Sequence, residues 1–288
     1  MAAVLLAFAL TSCEAPQLID QKPDTTDSGN AVLQFTATPS PVFQTRGGVY
    51  IGDYFTKLNV MLFNADGNKV FDKVKTQTTA DDGFGTLSLE IAEGTYTVVA
   101  VGHSSVNSAT IKSPQQVTFT ASNGEKLTDT FCHCSTITVG GSPASYDLLM
   151  HRVAAMVRFV LTDTDIPTAF ARLKIDYTGG SANFNPSSSE GITKSTQSET
   201  RTAVSPQVYS VFTFPYLSES GTLKMTLSAL DAQGVVIHSR TFEPIPVTRN
   251  RITSYTGQFF DGTGGEITQT AFGFTIDTEW AGEDHYTF

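Results

Sequence analysis

Cysteine is the first thing this chain lacks. Three cysteines in 288 residues cannot build a disulfide framework, so packing must hold the fold together. Charge of one sign is never concentrated. Lys and Arg total 18 against 28 Asp and Glu, a net of −10, with no basic run, which excludes nucleic acid as an expected partner. After residue 12 no apolar stretch approaches the ~20 residues that a membrane-spanning helix needs. Motifs of chemistry are missing as well. There is no glycine-rich phosphate loop, no His-Glu-x-x-His and no Cys-x-x-Cys. The nearest thing to a nucleophile elbow, Gly102-His103-Ser104-Ser105-Val106, lacks the closing glycine that lets the strained turn form. The 5 histidines are scattered without ligand-like spacing. Cys132-His133-Cys134 on a strand would put both thiols on one face and the imidazole on the other, poor geometry for a tetrahedral metal. No enzyme activity, metal, cofactor or small-molecule substrate is therefore expected.

What is present favours strands. Only 16% of residues are charged, while Phe numbers 20 and Gly 23, and Thr, Ser and Val are abundant, the profile of an all-β extracytoplasmic protein. The chain opens differently. The apolar run Ala2–Leu10 ends in Leu10-Thr11-Ser12-Cys13. It is too short to cross a bilayer and reads as a signal-peptide h-region. Leu-x-x-Cys with small residues before the thiol looks like a bacterial lipobox, in which Cys13 is lipidated and becomes the first mature residue. Residues 1–12 carry no Lys or Arg, so the usual basic start is missing and translation is expected to begin upstream. Residues 13–30 follow as a tether rich in Pro, Asp, Thr and Gln without periodicity. Its 17 residues after Cys13 reach at most about 55 Å when extended.

Strand signals then run almost without break. Leu33, Phe35 and Ala37 alternate with polar neighbours, as do Leu58, Val60 and Leu62. Asn64-Ala65-Asp66-Gly67-Asn68 is a hairpin turn returning through Val70-Phe71. Leu87–Ile91, Tyr96–Val101, Val117–Phe119 and Ser135–Val139 complete a first domain, residues 31–143, closed by Gly140-Gly141-Ser142-Pro143. A second, residues 144–288, opens on Leu149–Leu161, where Val153, Ala155, Val157, Phe159 and Leu161 share one face at period two. That stretch also fits a helix, and its valines and its strand neighbours decide for a strand. Residues 185–202 read as a long Ser/Thr-rich loop. Val208–Phe214, Leu223–Ala229, Val235–Phe242, Thr253–Phe260 and Phe272–Trp280 read as later strands. The turn Asp231-Ala232-Gln233-Gly234 echoes Asn64-Ala65-Asp66-Gly67, which points to two tandem β-sandwiches.

Several stretches together resemble the fimbrillin-like lipoproteins of type V pili on Bacteroidetes-type surfaces. They are the lipobox, Leu-x-Leu-x(6)-Tyr-x-Val-x-Ala at Leu87–Ala100, and His151-Arg152-Val153-Ala154-Ala155-Met156-Val157. The run Asn250-Arg251-Ile252-Thr253-Ser254-Tyr255-Thr256-Gly257 and a last strand closing on Trp280 complete the set. The anchor and minor-subunit branch is nearer than the stalk pilins. The resemblance implies two transthyretin-like (Greek-key) β-sandwiches, a fimbrial anchor or minor subunit tethered to the outer membrane by lipid on Cys13, and attachment to other fimbrial subunits by donated β-strands. Stalk subunits of that family are cut after an Arg behind the first strand. Arg46, in Phe43-Gln44-Thr45-Arg46-Gly47-Gly48, stands in such a place, so a polymerising stalk or tip pilin cleaved after Arg46 is one alternative. A surface glycan-binding lipoprotein is another, although such proteins display tryptophan platforms and this chain has 1 Trp. An anchor would keep its last strand for its own second domain, with Trp280 in the core.

Overall fold

A computed structural model describes residues 30–39, 50–119, 127–216, 220–260, 280 and 283–288; Cys13, Arg46 and the expected strand 272–279 lie outside them. Strand β1 (Ala31–Pro39) alternates as expected, with Ala31, Leu33, Phe35 and Ala37 buried. It lies between β4 (Thr86–Ile91), antiparallel, and β9 (Ala144–Arg152), parallel. The opposing layer is formed by β2 (Lys57–Asn64), β3 (Lys75–Thr78), β5 (Gly94–His103) and β8 (Thr130–Val139). The two layers form one sequence of seven strands, β3-β2-β5-β8-β9-β1-β4. β8 and β9 pair only at Phe131↔Arg152 and Cys132↔His151, so the sheet folds there around a single core that includes Phe35, Leu62, Val98 and Met150.

The first domain ends later than the turn chemistry suggested. Residues Ala144–Met150 pair with Leu33–Pro39, so β9 belongs to the first sandwich. Gly140-Gly141-Ser142-Pro143 joins two strands of that sandwich and is no linker. The chain crosses over at Val153 and Ala154, which are both fully buried. The long strand expected over Leu149–Leu161 is thus two strands, β9 and β10 (Ala155–Leu161).

The second sandwich packs β15 (Val208–Thr213), β10, β18 (Ile252–Gly257) and β19 (Glu283–Thr287) against β14 (Gln197–Thr202), β11 (Arg172–Thr178), β16 (Ser220–Leu230) and β17 (Val236–Thr248). Ala155, Val157, Phe159 and Leu161 face its core, together with Ile175, Tyr177, Phe242 and Tyr255. Val153 of the expected stripe belongs to a different cluster.

That cluster lies under a third sheet, built from both halves of the chain and unforeseen in the sequence. β6 (Thr110–Ser113) and β7 (Gln116–Thr118) from the first half join β12 (Asn183–Asn185) and β13 (Glu190–Gly191) from the second, in the order β13-β12-β7-β6. The cross-half register is Val117↔Phe184 and Thr118↔Asn183. This sheet covers the outer face of β2 and β5, burying Met61, Phe63, Val99 and Val101 beneath Ile111, Val117 and Phe184. Covered on both sides, Leu58–Phe63 and Val98–His103 are buried at every position, and such strands read as continuous apolar runs. Residues 185–202 accordingly hold β13 and β14 where a loop was expected, and the strand returning to β2 is β3, beyond Val70-Phe71.

The echoed turns are one structure made twice. The Asn64 side chain accepts from the Asp66 and Asn68 amides, and that of Asp231 from the Gln233 and Val235 amides. Gly67 and Gly234 follow at φ 79° and 90°, where a Cβ would strain the backbone.

Candidate functional site

Three of the stretches behind the sequence resemblance, those of Arg152, Asn250 and Trp280, meet where the two sandwiches join. Arg152 ends β9 with its side chain 2% exposed. Its Nε donates to both Asp129 carboxylate oxygens at 2.9 Å, and a second guanidinium nitrogen lies 2.8 Å from Asp129. Another nitrogen donates to the Asn250 side-chain oxygen at 3.1 Å, across the domain junction. Two aromatic rings also face the guanidinium, its carbon 4.7 Å from the centroid of Phe131 and 3.9 Å from that of Trp280. A buried cation needs this kind of compensation, a carboxylate with charge-assisted hydrogen bonds and π faces. Asn250 holds its place through a left-handed backbone, φ 58°, and donates its amide to the Ala154 carbonyl. Asn and Asp are the non-glycine residues that best tolerate that region.

Trp280 leads into β19, which lies parallel to β18 in the register Ile252↔Glu283 to Thr256↔Thr287. Its contacts are specific. Arg158 binds Glu283 at 2.8 Å, with Glu283 7% exposed, and Arg251 binds Asp284 at 2.8 Å. Tyr286 stacks on Tyr255 at 4.8 Å, and burial raises the hydroxyl pKa of both, so both stay neutral. Phe288 meets Phe242 edge-on at 5.0 Å and donates its amide to the Thr256 carbonyl. Gly257 explains the glycine that ends the Asn-Arg-x-Thr run, since a Cβ there would lie 1.9 Å from the Phe288 carbonyl oxygen. Trp280 is buried as expected, at 7% exposure, but in a small junction cluster with Met156, Ile252 and Phe212 rather than in the core of the second sandwich, and it precedes the last strand instead of closing it.

The sequence candidates for chemistry are structural. His103 is fully buried; its Nδ1 accepts the Ser105 amide at 3.1 Å. That leaves Nε2 to donate to the Asn59 side-chain oxygen at 2.7 Å, which fixes the tautomer. Burial, then the neighbouring Lys57 charge, pushes its pKa down to about 4. Ser105 is itself buried, and Ser104 accepts the Thr56 amide, while both His103 ring nitrogens are engaged by partners other than the two serine hydroxyls. Cys132 and Cys134 share the outer face of β8, and His133 points the other way, held by the Leu149 carbonyl at 3.2 Å and Ser135 at 2.7 Å. Burial raises both thiol pKa values. Among the described residues no group of three His, Cys, Asp or Glu is placed to hold a metal, and no helix is long and apolar enough to cross a membrane. The described site contains neither Cys13 nor Arg46, which lie outside the described residues.

Known structures share this architecture. A Bacteroides thetaiotaomicron protein (DUF1812), provisionally described as polysaccharide-binding, superposes with a TM-score of 0.50 at 10% identity, over 73% of this chain and 79% of its own. The fimbrial anchor protein Mfa2 from Porphyromonas gingivalis gives a TM-score of 0.43 at 13% identity, covering 73% of this chain and 82% of that one. A fimbrial assembly protein from Parabacteroides distasonis gives 0.40 at 14% identity, covering 80% and 90%. What the first of these likenesses establishes is the fold. No curated protein matches the chain in sequence. The family model described as a family of unknown function, DUF6562, matches residues 24–288, nearly the whole chain, and the chain belongs to that family.

Proposed function

We propose that this chain is a structural fimbrial protein without catalytic activity, an anchor or minor subunit. Lipid on Cys13 would hold it to the outer membrane, and other fimbrial subunits would join it by β-strand donation. The observation that carries this reading is β19. The last strand completes the chain's own second sandwich, locked by two ion pairs, two ring contacts and the Gly257 approach. A strand held in this way by its own second sandwich is engaged within the subunit, which supports an anchor over a donor. Acyl chains on Cys13 contribute about 0.8 kcal/mol per buried CH₂, enough with several chains for lasting attachment. The tether keeps the first sandwich free of the surface. An incoming strand gains backbone hydrogen bonds along an edge, with alternate side chains setting specificity.

One feature favours the alternative of a stalk or tip pilin. β1 is a single strand between β4 and β9, and the chain behind it runs on to Arg46-Gly47-Gly48. Cutting there would detach β1 and leave a strand-shaped gap. Mass spectrometry of the protein from intact cells separates the two. An anchor shows lipidated Cys13 in one polypeptide with Gly47-Gly48; a mature N-terminus at Gly47 makes the chain a polymerising subunit. Metabolic labelling with a fatty-acid analogue tests the tether itself, since label persisting on a Cys13→Ala variant would end the lipobox reading.

A further inference from the structure

The third sheet covers only part of the face beneath it. Toward the domain junction the outer sides of β5 and β8 are Val99, Val101 and Cys132, buried under that sheet. Toward the far end the same face continues as Thr95, Thr97 and Thr136, uncovered. Here a cleft of about 540 Å³ opens, floored by those threonines. One wall is Asn64, Ala65 and Gly67 of the first echoed turn, whose Asp66 does not line the cleft; the other is the β6–β7 turn with Gln115, backed by Ser187 of the second half. That second wall is tied across the halves, because the Ser187 hydroxyl donates to the Pro114 carbonyl at 3.0 Å. The size falls within the ~300–1,000 Å³ of ordinary small-molecule sites.

The lining selects a ligand by what it offers. None of its residues carries a formal charge, in a chain with 46 charged side chains (18 plus 28). An ionic ligand would lose hydration without gaining a counter-charge. An apolar ligand would strip water from the threonine hydroxyls and return nothing. A nucleobase needs an aromatic platform, and the ring of Tyr96 is 9% exposed and turned into the first core; a sugar ring, which also gains from such a platform, can still be held by its hydroxyls alone, and only weakly. An extended peptide pairs with the edge of a sheet, whereas this floor is a sheet face. Polyhydroxyl compounds remain. Each threonine hydroxyl both donates and accepts, as each sugar hydroxyl does, while threonine methyls and Pro114 give the C–H faces of a ring a place to rest. We propose that this cleft is a binding site for a neutral oligosaccharide. It is independent of the fimbrial reading and would coexist with it. Because hydrogen bonds in an open cleft replace those to water, affinities in about the millimolar range or somewhat tighter are expected.

Calorimetric titration of the full chain with cellotriose, mannotriose and maltotriose tests it, with trigalacturonate and the tripeptide Ser-Thr-Gly as contrasts. At least one neutral sugar should bind, roughly tenfold or more tighter than trigalacturonate or the peptide. Thr136→Arg, on an exposed floor position, should abolish that binding without moving the thermal midpoint. Gln115→Ala should weaken it several-fold. In amide spectra the perturbed residues should be those of β5, β8 and the β6–β7 turn. Absence of binding by all three neutral sugars at about ten millimolar would overturn the proposal. So would equal or tighter binding of trigalacturonate or the peptide, or sugar binding that survives Thr136→Arg.

Discussion

The chain's first and last described strands each complete a sandwich by running parallel to a neighbour, β1 beside β9 and β19 beside β18. They do it by different physics. β1 is paired on both sides, and its alternate side chains Leu33 and Phe35 are wholly buried. β19 sits at the end of the order β15-β10-β18-β19, with His285 and Tyr286 half-exposed and Thr287 open to solvent. One is held by apolar burial, which salt and pH scarcely touch. The other is held by ion pairs and ring stacking around a tight glycine approach. A strand of the first kind is part of the core, and its loss exposes that core. A strand of the second kind is a closure whose strength the solvent can tune.

The largest effect is expected in β1. Phe35→Ala should cost about 3–5 kcal/mol, enough to unfold the first sandwich in a domain of ordinary stability; urea denaturation reads it. Trp280→Ala, at the head of β19, should cost about 3 kcal/mol, because it removes both a buried ring and the π face over Arg152. A loss below about 1 kcal/mol would show that Trp280 merely covers the junction.

Acid should separate the two sandwiches. His103 of the first stays neutral in the fold, its pKa held at about 4 against an ordinary 6.5. Between those values the unfolded chain takes up a proton that the folded chain refuses, so stability falls as pH drops through the window. The loss should be about 2–3 kcal/mol at pH about 4.5. His133 and His151, also lowered by burial, act in the same direction. Denaturation curves for His103→Gln, measured at neutral and acid pH, should lie closer together than those of the parent protein.

Deleting residues 283–288 removes the Arg158 pair with buried Glu283, the half-exposed Arg251–Asp284 pair and two ring contacts. It should cost about 2 kcal/mol and leave the first sandwich intact by amide exchange. A loss as large as that of Phe35→Ala would erase the distinction drawn between the strands. The smallest expected change pairs the echoed turns. Gly67→Ala and Gly234→Ala should each cost about 1 kcal/mol, and markedly unequal values would show that only one turn holds its hairpin in register.

Much of the fold was legible. Leu33, Phe35 and Ala37 announce β1, and Leu58, Val60 and Leu62 the inner face of β2, because side chains alternate faces every two residues along a strand. The Asx-Ala-x-Gly turns were readable for the same local reason. The domain boundary was not. Gly140-Gly141-Ser142-Pro143 has the composition of a linker, and only the pairing of Ala144–Met150 with β1 reveals it as a turn. The third sheet escaped because its strands are 2–4 residues long, and Val117 meets Phe184 across most of a domain. At the candidate site, His151-Arg152, Asn250-Arg251 and Trp280 were marked by resemblance, yet nothing local said that they touch.

The sequence alone determined an all-β chain, the inner faces of β1, β2 and β10, the two echoed turns and the fact that Cys132 and Cys134 share a face without His133. These follow from period and turn chemistry, which act over a few residues. Tertiary structure alone decided that β9 belongs to the first sandwich, that both halves build a sheet together, and that Arg152 is held by Asp129, Asn250 and Trp280. It also decided that the covering sheet stops short and leaves the threonine cleft open. Those outcomes depend on which distant surfaces exclude water together, and a preference for burial names no partner.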